Sequence, residues 1–544
     1  MAKNVKIIPL GGLGEVGKNM TAIEYGRNLI VVDCGVMFPS NDMHGIDYVL
    51  PDFQYVIDNQ DILRGIVLTH GHQDHIGSLP YLLDKISAPI YGTGLTIGMV
   101  EMTLQEKNLL HKTTLEVIHD QQTFPLGPFR ISPFSVAHSI PAAVGLVIDT
   151  PVGAIVHTGD YKLDETVAGG YRTDFKRLAE LTPNGVLALL GDSTNADRPG
   201  QTPTEKVVAE TMDQLFGEHT NGRIIIATFS SMLARIQEIF NLADKHGRKV
   251  AVTGRSLIQN VELARTLGYL YVPSGLLVDV TDRHIADDKL IIVCTGSQGE
   301  TRSALNRMAN GDHRFVDIKK NDTVIVSGSV IPGNEEDVAR MINNLFLRGA
   351  NVIYGSLAQV HVSGHGSRKD MQTMLEKVNP KFLLPMHGEH RHLHLHGQMA
   401  QQNGMNASDI FVLHNGAVWV SDGEKAWVEK PLRNEAIYVD GTLIGEIGEV
   451  VMRDRERLAQ DGFMVVYVPI NRRTKQVGKP RIFSRGFLQM DSAQDLMEMA
   501  TKQLQRELNR NKRNHHDTVR HTLENFFYHK TQSRPVILPH VVEV

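Results

Sequence analysis

The segment 69–75 (THGHQDH) places four potential metal ligands within six residues: His70, His72, Asp74 and His75. The apolar run Gly65–Leu68 before it predicts a buried strand, because short apolar runs bounded by turn residues are typical of strands. A strand that ends in a tight turn directs the first two histidines to one side, and the other two ligands then open the next helix. Imidazole and carboxylate groups at this density suit zinc, or manganese where oxygen ligands dominate. The spacing therefore favours a metal site over a polar loop.

A site of this kind needs further ligands from distant parts of the chain. Three candidates each follow a predicted strand: His138, Asp160 and His387. Asp160 is interpreted as a bridging ligand, because each of its two carboxylate oxygens can bind one ion. Taken singly, His138 and His387 are explained as well by ordinary histidines as by metal ligands. Together with Asp160 they complete the number of ligands that two ions need. Two ions roughly 3.5–4 Å apart suit hydrolysis of a phosphodiester, and also of an amide or a thioester.

These residues together resemble the metallo-β-lactamase family, which carries an aspartate at the end of an early strand, then H-x-H-x-D-H, then a separate His, Asp and His. The early aspartate is Asp33, after the predicted strand Leu29–Val32, and the resemblance implies that it orients the ligands from outside. The resemblance implies two divalent ions per subunit, zinc or alternatively manganese. The implied ligands are His70, His72, His138 and Asp160 for one ion, and Asp74, His75, Asp160 and His387 for the other.

The chain of 544 residues is too long for one hydrophobic core, so several domains are expected. Alternating short strands and helices up to about residue 200 predict a layered α/β domain. A regular strand–helix repeat then predicts a second domain with a parallel sheet. Its first helix is predicted from Thr202–Glu205, interpreted as a capping box with proline at the first helical position. The tail predicts a small α/β domain with a strand at Gly462–Ile470, a helix at Ser492–Leu508 and a terminal strand at Pro535–Leu538.

About 225 residues separate Asp160 from His387, and they include the predicted parallel domain. An insert of this kind resembles the β-CASP subfamily, whose members act on nucleic acids. Motifs similar to those of the subfamily are found at Gly191–Thr194, His361–Gly366 and Pro385–Glu389. The segments 9–19 (PLGGLGEVGKN), 45–53 and 361–366 (HVSGHG) are similar to the bacterial ribonuclease J family, and this resemblance covers essentially the whole chain.

The resemblance implies an α/β fold: a metallo-β-lactamase αββα sandwich, an inserted β-CASP parallel α/β domain and a small C-terminal α/β domain. The expected boundaries are 1–203 and 351–430 for the two parts of the first domain, 204–350 for the insert, 431–455 for a linker and 456–544 for the C-terminal domain. The implied activity is two-metal hydrolysis of RNA, by 5′→3′ exonuclease and endonuclease action, in mRNA decay and rRNA maturation. The implied partners are 5′-monophosphorylated RNA, further copies in a homodimer or homotetramer, and proteins of an RNA-decay complex.

The loop His361–Gly366 offers two imidazoles, a serine hydroxyl and glycine N–H groups, and such groups suit a phosphate oxygen. The alternative is a glycine turn with surface histidines. By resemblance, His365 protonates the leaving ribose oxygen, Asp192 orients that histidine or a ligand, and Asp74 belongs to the catalytic set. The candidate phosphate-binding residues in this loop are His361, Val362, Ser363, Gly364 and His365.

A second candidate for phosphate binding is Thr228–Met232, which follows the predicted strand Arg223–Thr228 and begins a helix. Free N–H groups at a helix N-terminus bind phosphate, and the family uses the matching loop on the RNA strand. The alternative is a helix N-cap without further function. The residues concerned are Ser230, Ser231 and Met232.

Composition and the N-terminal sequence indicate the cellular compartment in which the protein acts. The two cysteines, Cys34 and Cys294, argue against a disulfide framework and fit a reducing cytoplasm. The N-terminus lacks a signal-peptide pattern and no apolar run reaches the ~18–20 residues of a membrane helix, so a cytoplasmic protein without a membrane partner is expected. The glycine-rich segment 11–18 continues with Asn19 where a P-loop requires serine or threonine, so it is interpreted as a turn beside the metal site.

The tail carries two groups of basic residues, which are interpreted as RNA-phosphate contacts, as a solvated helix face or as a subunit contact. The resemblance favours the last interpretation, because the family's tail supports oligomerisation. The residues are Arg472, Arg473, Lys475, Lys479, Arg481 and Arg485 in the first group, and Arg506, Arg510, Lys512 and Arg513 in the second.

Three other functions compete with an RNA hydrolase. A DNA-directed β-CASP nuclease would differ in contacts to the ribose 2′-OH, which the sequence does not locate. A β-lactamase or thioesterase would have no use for the long insert. An RNA-binding partner subunit with weak activity would have no need of a complete ligand set.

Overall fold

The structure, a computed structural model, describes residues 4–40, 42–331, 333–488, 493–511 and 513–544. The chain forms two compact units, Met1–Phe38 with Val49–Ala436 and Pro39–Tyr48 with Ile437–Val544. The segment Pro39–Tyr48 belongs to the second unit although it lies near the start of the chain. Among the described residues, no helix is both long and apolar enough to cross a bilayer.

The strands up to residue 429 are β1 (Val5–Gly11), β2 (Met20–Tyr25), β3 (Leu29–Val32), β4 (Tyr48–Leu50), β5 (Leu63–Val67), β6 (Ile90–Gly92), β7 (Leu115–Val117), β8 (Phe124–Leu126), β9 (Phe129–Ser135), β10 (Val144–Thr150), β11 (Gly153–His157), β12 (Val186–Asp192), β13 (Ile224–Ala227), β14 (Lys249–Thr253), β15 (Leu277–Val278), β16 (Leu290–Cys294), β17 (Thr323–Val326), β18 (Asn351–Ile353), β19 (Pro380–Met386), β20 (Val418–Ser421) and β21 (Ala426–Glu429).

The helices of the same region are α1 (Gln54–Asp58), α2 (Gln73–Ile76), α3 (Leu79–Lys85), α4 (Gly94–Glu106), α5 (Phe175–Leu181), α6 (Glu205–Glu218), α7 (Leu233–Lys245), α8 (Arg255–Thr266), α9 (Ala304–Asn310), α10 (Glu335–Leu347), α11 (Arg368–Val378) and α12 (His390–Gln402). Short 3₁₀ turns lie at Leu110–Lys112, Asp287–Lys289 and Ala407–Asp409.

Two mixed sheets pack face to face in the first unit. Their strand orders are β21-β20-β1-β2-β3-β5-β6-β7 and β19-β12-β11-β10-β9-β8. Ile7, Ile23 and Val32 of the first sheet share one buried core with Ile131 and Leu384 of the second. Helix α4 contacts the first sheet, and α11 and α12 contact the second. The predicted metallo-β-lactamase sandwich is confirmed.

The insert forms a sheet of its own, in the order β15-β14-β16-β13-β17-β18, and every pairing in it is parallel. Strands β13, β16 and β17 are buried along their whole length. Such apolar runs are typical of parallel strands that helices cover on both faces. The predicted parallel β-CASP domain is therefore confirmed.

The predicted capping box at Thr202–Glu205 is wrong. Helix α6 begins at Glu205, its N-cap Thr204 makes no side-chain capping bond, and Pro203 lies outside the helix. The hydroxyl of Thr202 instead donates to the backbone carbonyl of His365 at 2.8 Å. A long-range contact thus replaces the local one, because Thr202 lies two residues before the N-cap and its hydroxyl reaches the loop that contains His365.

The second unit contains β22 (Ile437–Asp440), β23 (Leu443–Ile444), α13 (Glu449–Asp461), β24 (Phe463–Ile470), β25 (Arg481–Arg485), α14 (Gln494–Arg510), α15 (His515–Thr531) and β26 (Val536–Glu543). A three-stranded sheet in the order β25-β24-β26 packs one face on α14 and α15. The predicted tail helix thus begins at Gln494, and Ser492 and Lys512 lie outside the described residues. The terminal strand is longer than predicted, and α15 was not predicted.

The carboxyl ends of five inner strands lead into Asp192 and into the predicted ligands other than His138, which follows β9. β3 and β5 are parallel in the first sheet, and β11, β12 and β19 are parallel in the second. Loops that follow parallel strands lie at the same edge of a sheet. The two sheets therefore bring Asp33, the loop 69–75, Asp160, Asp192 and His387 together at one edge.

Candidate metal centre

Asp33 binds both ends of the loop 69–75 through its carboxylate. It has a positive φ of 60°, which aspartate tolerates better than most residues. One carboxylate oxygen accepts the backbone N–H of Thr69 at 2.8 Å, and the other accepts the Thr69 hydroxyl at 2.8 Å. The second oxygen also lies 2.8 Å from Nδ1 of His75. Because a carboxylate accepts, Nδ1 carries the proton and Nε2 of His75 faces the cluster.

The first predicted ligand set comes together at the buried edge of the sheets. His70, His72, His138 and Asp160 offer atoms that all lie within 4.8 Å of one another. Nδ1 of His72 lies 3.0 Å from Nε2 of His70 and 3.1 Å from Nε2 of His138. Oδ2 of Asp160 lies 3.6 Å and 3.8 Å from the same two Nε2 atoms, respectively.

The second predicted set lies beside the first and shares one residue with it. Asp74, His75, Asp160 and His387 also offer atoms within 4.8 Å of one another. Nε2 of His75 lies 3.1 Å from Oδ2 of Asp160 and 3.6 Å from Oδ2 of Asp74. Nδ1 of His387 lies 3.2 Å from Oδ1 of Asp160. Asp160 thus presents both of its oxygens to the cluster.

A backbone hydrogen bond fixes which ring nitrogen of His138 faces the cluster, whereas both ring nitrogens of His387 lie near its carboxylates. Nδ1 of His138 donates to the backbone carbonyl of Gly364 at 2.8 Å, which leaves the lone pair on Nε2. Nδ1 of His387 contacts the hydroxyl of Thr194 at 3.0 Å. Nε2 of His387 is buried without a hydrogen bond and lies 3.4 Å from Oδ2 of Asp74. A buried nitrogen in this state is a polar group that still needs a partner.

The donor atoms fit divalent metal ions. Bonds of about 2.0–2.2 Å in a tetrahedral site separate neighbouring ligand atoms by roughly 3.3–3.6 Å. The separations around His72 and Asp160 run from 3.0 to 3.8 Å. Two imidazole nitrogens also point at the single Nδ1 of His72, and one nitrogen cannot satisfy both through protons alone. An ion between these atoms would satisfy all of them.

Burial and carboxylates divide the histidines into two groups. Burial lowers the pKa of His70 and His138 well below the usual value and that of His72 to about 4. Burial also opposes protonation of His75 and His387, but neighbouring carboxylates, Asp160 above all, raise the pKa of both. Protons on these two rings balance the acidic residues, and a metal would compete with those protons.

Asp192 and His365 form a hydrogen-bonded pair beside the shared carboxylate. Oδ2 of Asp192 accepts from Nδ1 of His365 at 2.8 Å, and Oδ1 accepts from the hydroxyl and the N–H of Thr194. Nδ1 of His365 lies 3.9 Å from Oδ2 of Asp160. The His365 side chain is 20% exposed, whereas Asp192 is buried. The pair thus connects the buried cluster to the surface.

The loop 361–366 is held on both sides of its turn. The Asn195 amide donates to the Ser363 hydroxyl and to the His365 carbonyl, both at 2.9 Å. Gly364 packs against His138, where a Cβ atom would lie 2.8 Å from the imidazole. Only glycine fits this contact without movement of the ring. The loop therefore supports one of the predicted ligands as well as offering its own polar groups.

The other predicted phosphate-binding loop forms the turn that leads into α7. Ser230 and Ser231 lie in the turn between β13 and α7, and the Ser230 carbonyl accepts from Asn260. Met232 is buried and is the N-cap of α7. Val362 of the first loop is buried as well. Ser230 and Ser231 are part-buried, whereas Met232 and Val362 are buried, so only the two serines could offer a side chain to a substrate.

The sequence did not reveal a buried ionic network behind the loop. Arg235 forms a bidentate ion pair with Glu205 and lies 2.7 Å from Nδ1 of His361 through Nη1. Lys162 is fully buried between Asp164 at 3.1 Å and Glu205 at 3.2 Å. A charged residue at a buried helix position is the feature that could have indicated this network. Glu205 and Arg235 lie on the buried faces of α6 and α7. The network joins the first domain, the insert and the loop.

The glycine-rich segment lies beside the cluster, as predicted. The Asn19 amide donates to the Asp74 carbonyl and lies 3.2 Å from Nε2 of His75. Lys18 is buried in an ion pair with Glu15. The lysine is therefore engaged within its own turn and is not presented to a nucleotide.

Comparison with known proteins identifies the family. The models "Ribonuclease J, beta-CASP domain" and "Ribonuclease J C-terminal domain" match residues 221–345 and 450–544. "Beta-lactamase superfamily domain" matches 11–175, and "Zn-dependent metallo-hydrolase RNA specificity domain" matches 350–412. Ribonuclease J 1 of Streptococcus pyogenes is 39% identical, over 99% of this chain and 97% of its own length. The chain belongs to the ribonuclease J family.

Two further relatives of the ribonuclease J family support this assignment. Ribonuclease J2 of Bacillus subtilis is 38% identical over 100% of this chain and 99% of its own length. Ribonuclease J of Synechocystis is 38% identical over 93% of this chain and 80% of its own length. A crystal structure of a protein of unknown function from Enterococcus faecalis shares the fold, with a TM-score of 0.54, 14% identity and coverage of 77% of this chain and 100% of that one. The predicted family of metal-dependent ribonucleases is confirmed.

Proposed function

We propose that this protein hydrolyses RNA phosphodiester bonds with two divalent metal ions. The observation that carries the proposal is the position of Asp160, whose Oδ2 lies 3.6 Å from Nε2 of His70 in one ligand group and 3.1 Å from Nε2 of His75 in the other. The relatives are named as ribonucleases, and the model over residues 350–412 is named for RNA specificity. The long insert also favours a polymeric substrate over a small molecule.

The two ions, zinc in the first instance and manganese as the alternative, would be held by the ligand sets described above. When bound, they would lower the pKa of an attacking water and offset charge on the phosphoryl oxygens. His70, His72 and His138 would hold one side of the site, and Asp74, His75 and His387 the other, with Asp160 between them. Asp33 keeps the His75 ring oriented for this role.

His365 is the group best placed to give a proton to the leaving ribose oxygen. Its Nδ1 is bound to Asp192, so Nε2 is the nitrogen available to a substrate. General acids of this kind contribute typically 10²–10⁴-fold to rate. His361, Ser363 and the Gly364 backbone would bind the phosphate on the adjacent side, with the backbone at Ser230–Met232 as a second contact.

We infer the mode of action from the resemblance to the ribonuclease J family. We propose 5′→3′ exonuclease action on 5′-monophosphorylated RNA together with endonuclease cleavage, in mRNA decay and rRNA maturation. We also propose a cytoplasmic homodimer or homotetramer that joins an RNA-decay complex. The domain boundaries given by the sequence, 1–203, 204–350, 351–430 and 456–544 with a linker at 431–455, are part of this proposal.

The test uses a 5′-monophosphorylated, 3′-labelled RNA and its DNA counterpart, with zinc and with manganese. We expect the wild-type protein to shorten the RNA but not the DNA. The substitutions His72→Ala and Asp74→Ala should each abolish this activity. His284→Ala, at an exposed histidine outside the cluster, is the matched control. Metal analysis of the same proteins should give about two ions per wild-type chain and fewer in the two cluster variants.

Other outcomes decide between the competing functions. Equal cleavage of DNA would assign the protein to the DNA-directed branch. Tight binding of intact RNA with both metals, and no cleavage, would make the chain an RNA-binding partner subunit. Early release of mononucleotides from a parallel 5′-labelled RNA would establish the exonuclease mode.

A further inference from the structure

One face of the sheet in the second unit carries exposed side chains on its outer strands and part-buried side chains along β24. In β24, Met464, Val466 and Val468 pack into the core with α14 and α15, so the alternate residues face away from it. Register places residues of β25 and β26 beside them on the same outer face. The outward rows are Arg485–Phe463–Val536, Phe483–Val465–Leu538 and Arg481–Tyr467–His540.

This outer face combines aromatic rings with positive charge. Phe483 is 58% exposed and Leu538 is 48% exposed, and Arg481 and Arg485 are exposed on either side of Phe483. Arg485 donates to the backbone carbonyl of Ser484, which leaves its charge without a carboxylate partner among the described residues. The three rows contain no acidic side chain.

We propose that this face binds single-stranded RNA, with Phe463, Tyr467 and Phe483 stacking on bases and Arg481 and Arg485 contacting phosphates. Bases stack on aromatic rings with little sequence preference, and a basic surface follows the phosphate backbone. Open sheets that carry exposed aromatic rings bind single-stranded RNA in this way. The inference rests on the proposed function for the choice of RNA as ligand, and it adds a second contact surface to the catalytic one.

Charge also argues against a second copy of the chain as the occupant. A two-fold contact places the same surface of two copies against itself. Here it would bring Arg481 and Arg485 of one copy against the same basic, acid-free rows of the other. Like charges facing each other across an interface oppose association, whereas phosphates complement them.

The experiment measures binding of a fluorescent, unstructured 30-nucleotide RNA to the full-length chain by anisotropy, at several salt concentrations and without added metal. Phe483→Ala should weaken binding about tenfold, since stacking accounts for a factor of this order per base. Arg481→Gln with Arg485→Gln should weaken binding and reduce the salt slope by about 1.4, at roughly 0.7 per phosphate contact. Arg520→Gln with Lys530→Gln, at exposed positions of α15, is the charge-matched control.

Cross-linking of the same RNA carrying 4-thiouridine locates the contact directly. Cross-links to peptides that contain Phe463–Tyr467, Phe483 or Leu538 are expected, and far-ultraviolet circular dichroism checks that the variants fold. Wild-type affinity in the folded variants, with no cross-links on this face, would overturn the inference. So would dissociation of a wild-type oligomer into monomers by Phe483→Ala, because the face would then be a contact between copies.

The cleavage assay separates this inference from the proposed function. If the wild-type chain cuts RNA but the face variants bind like wild type, the catalytic proposal stands and the second surface is refuted. If the wild-type chain leaves RNA intact but cross-links on this face, the second surface stands and the catalytic proposal fails.

Discussion

Oδ2 of Asp192 accepts a hydrogen bond from Nδ1 of His365 at 2.8 Å, although 173 positions separate the two residues in the chain. Asp192 is the last residue of β12, and His365 lies in the loop that follows the insert. The bond aligns the His365 ring and fixes its proton on Nδ1. It is the structural link between the histidine and aspartate cluster and the surface from which a substrate would approach.

Asp192→Asn should lower kcat about 100-fold or more and change KM little. The amide removes the negative charge that favours a protonated His365, and general acid catalysis depends on that proton. Steady-state cleavage of a 5′-monophosphorylated RNA measures both constants. Asp213→Asn, at a surface ion pair with Lys245, is the control, and a wild-type kcat in Asp192→Asn would exclude the proposed role of the pair.

Gly364→Ala should reduce both activity and bound metal. A Cβ at this position would lie 2.8 Å from Cε1 and 2.9 Å from Nδ1 of His138, so a shift of the ring would displace Nε2 of His138 from its place in the cluster. Inductively coupled plasma mass spectrometry measures the metal content alongside the cleavage rate. Gly355→Ala has open space around the new Cβ and should behave as wild type. Full metal content and activity in Gly364→Ala would show that the loop yields instead of the ring.

Arg235→Gln should lower the free energy of unfolding by about 3 kcal/mol, because the buried Glu205 would keep only Lys162, which it shares with Asp164, to offset its charge. Arg235 is 1% exposed and Glu205 is 8% exposed. Arg235→Lys keeps the charge but loses the bidentate geometry, so we expect an intermediate loss. Urea unfolding measures the change, and Arg340→Gln, which breaks an exposed pair with Asp337, is the control. An equal, small loss in all three variants would contradict the structural role of the network.

His396 should make the protein less stable as the pH falls from about 6.5 to about 4. Burial lowers the pKa of His396 to about 4, whereas an unfolded histidine titrates near 6.5. Within this window the unfolded chain takes up a proton that the folded chain does not, so up to about 3 kcal/mol of stability is lost. The thermal midpoint of His396→Asn should therefore fall less between pH 7 and pH 4.5 than that of wild type. Parallel curves for the two proteins would refute the assignment.

Local sequence pattern determined the ligand candidates and the type of each domain. The spacing of H-x-H-x-D-H and the strand before each distant ligand are visible without a structure, because side-chain type and periodicity are local properties. The apolar strands of the insert likewise predicted a parallel sheet. The structure brings together the residues of both predicted ligand sets around Asp160.

Tertiary packing decided which nitrogen of each ring faces inward and which residues support it. The bond of His138 to Gly364, the pairing of Asp192 with His365 and the contact of Arg235 with His361 each join positions more than 100 residues apart. Thr202 was predicted to cap a helix, yet it binds the His365 carbonyl. Sequence cannot specify such contacts, because they depend on how the two sheets and the insert pack and on which buried polar groups then require partners.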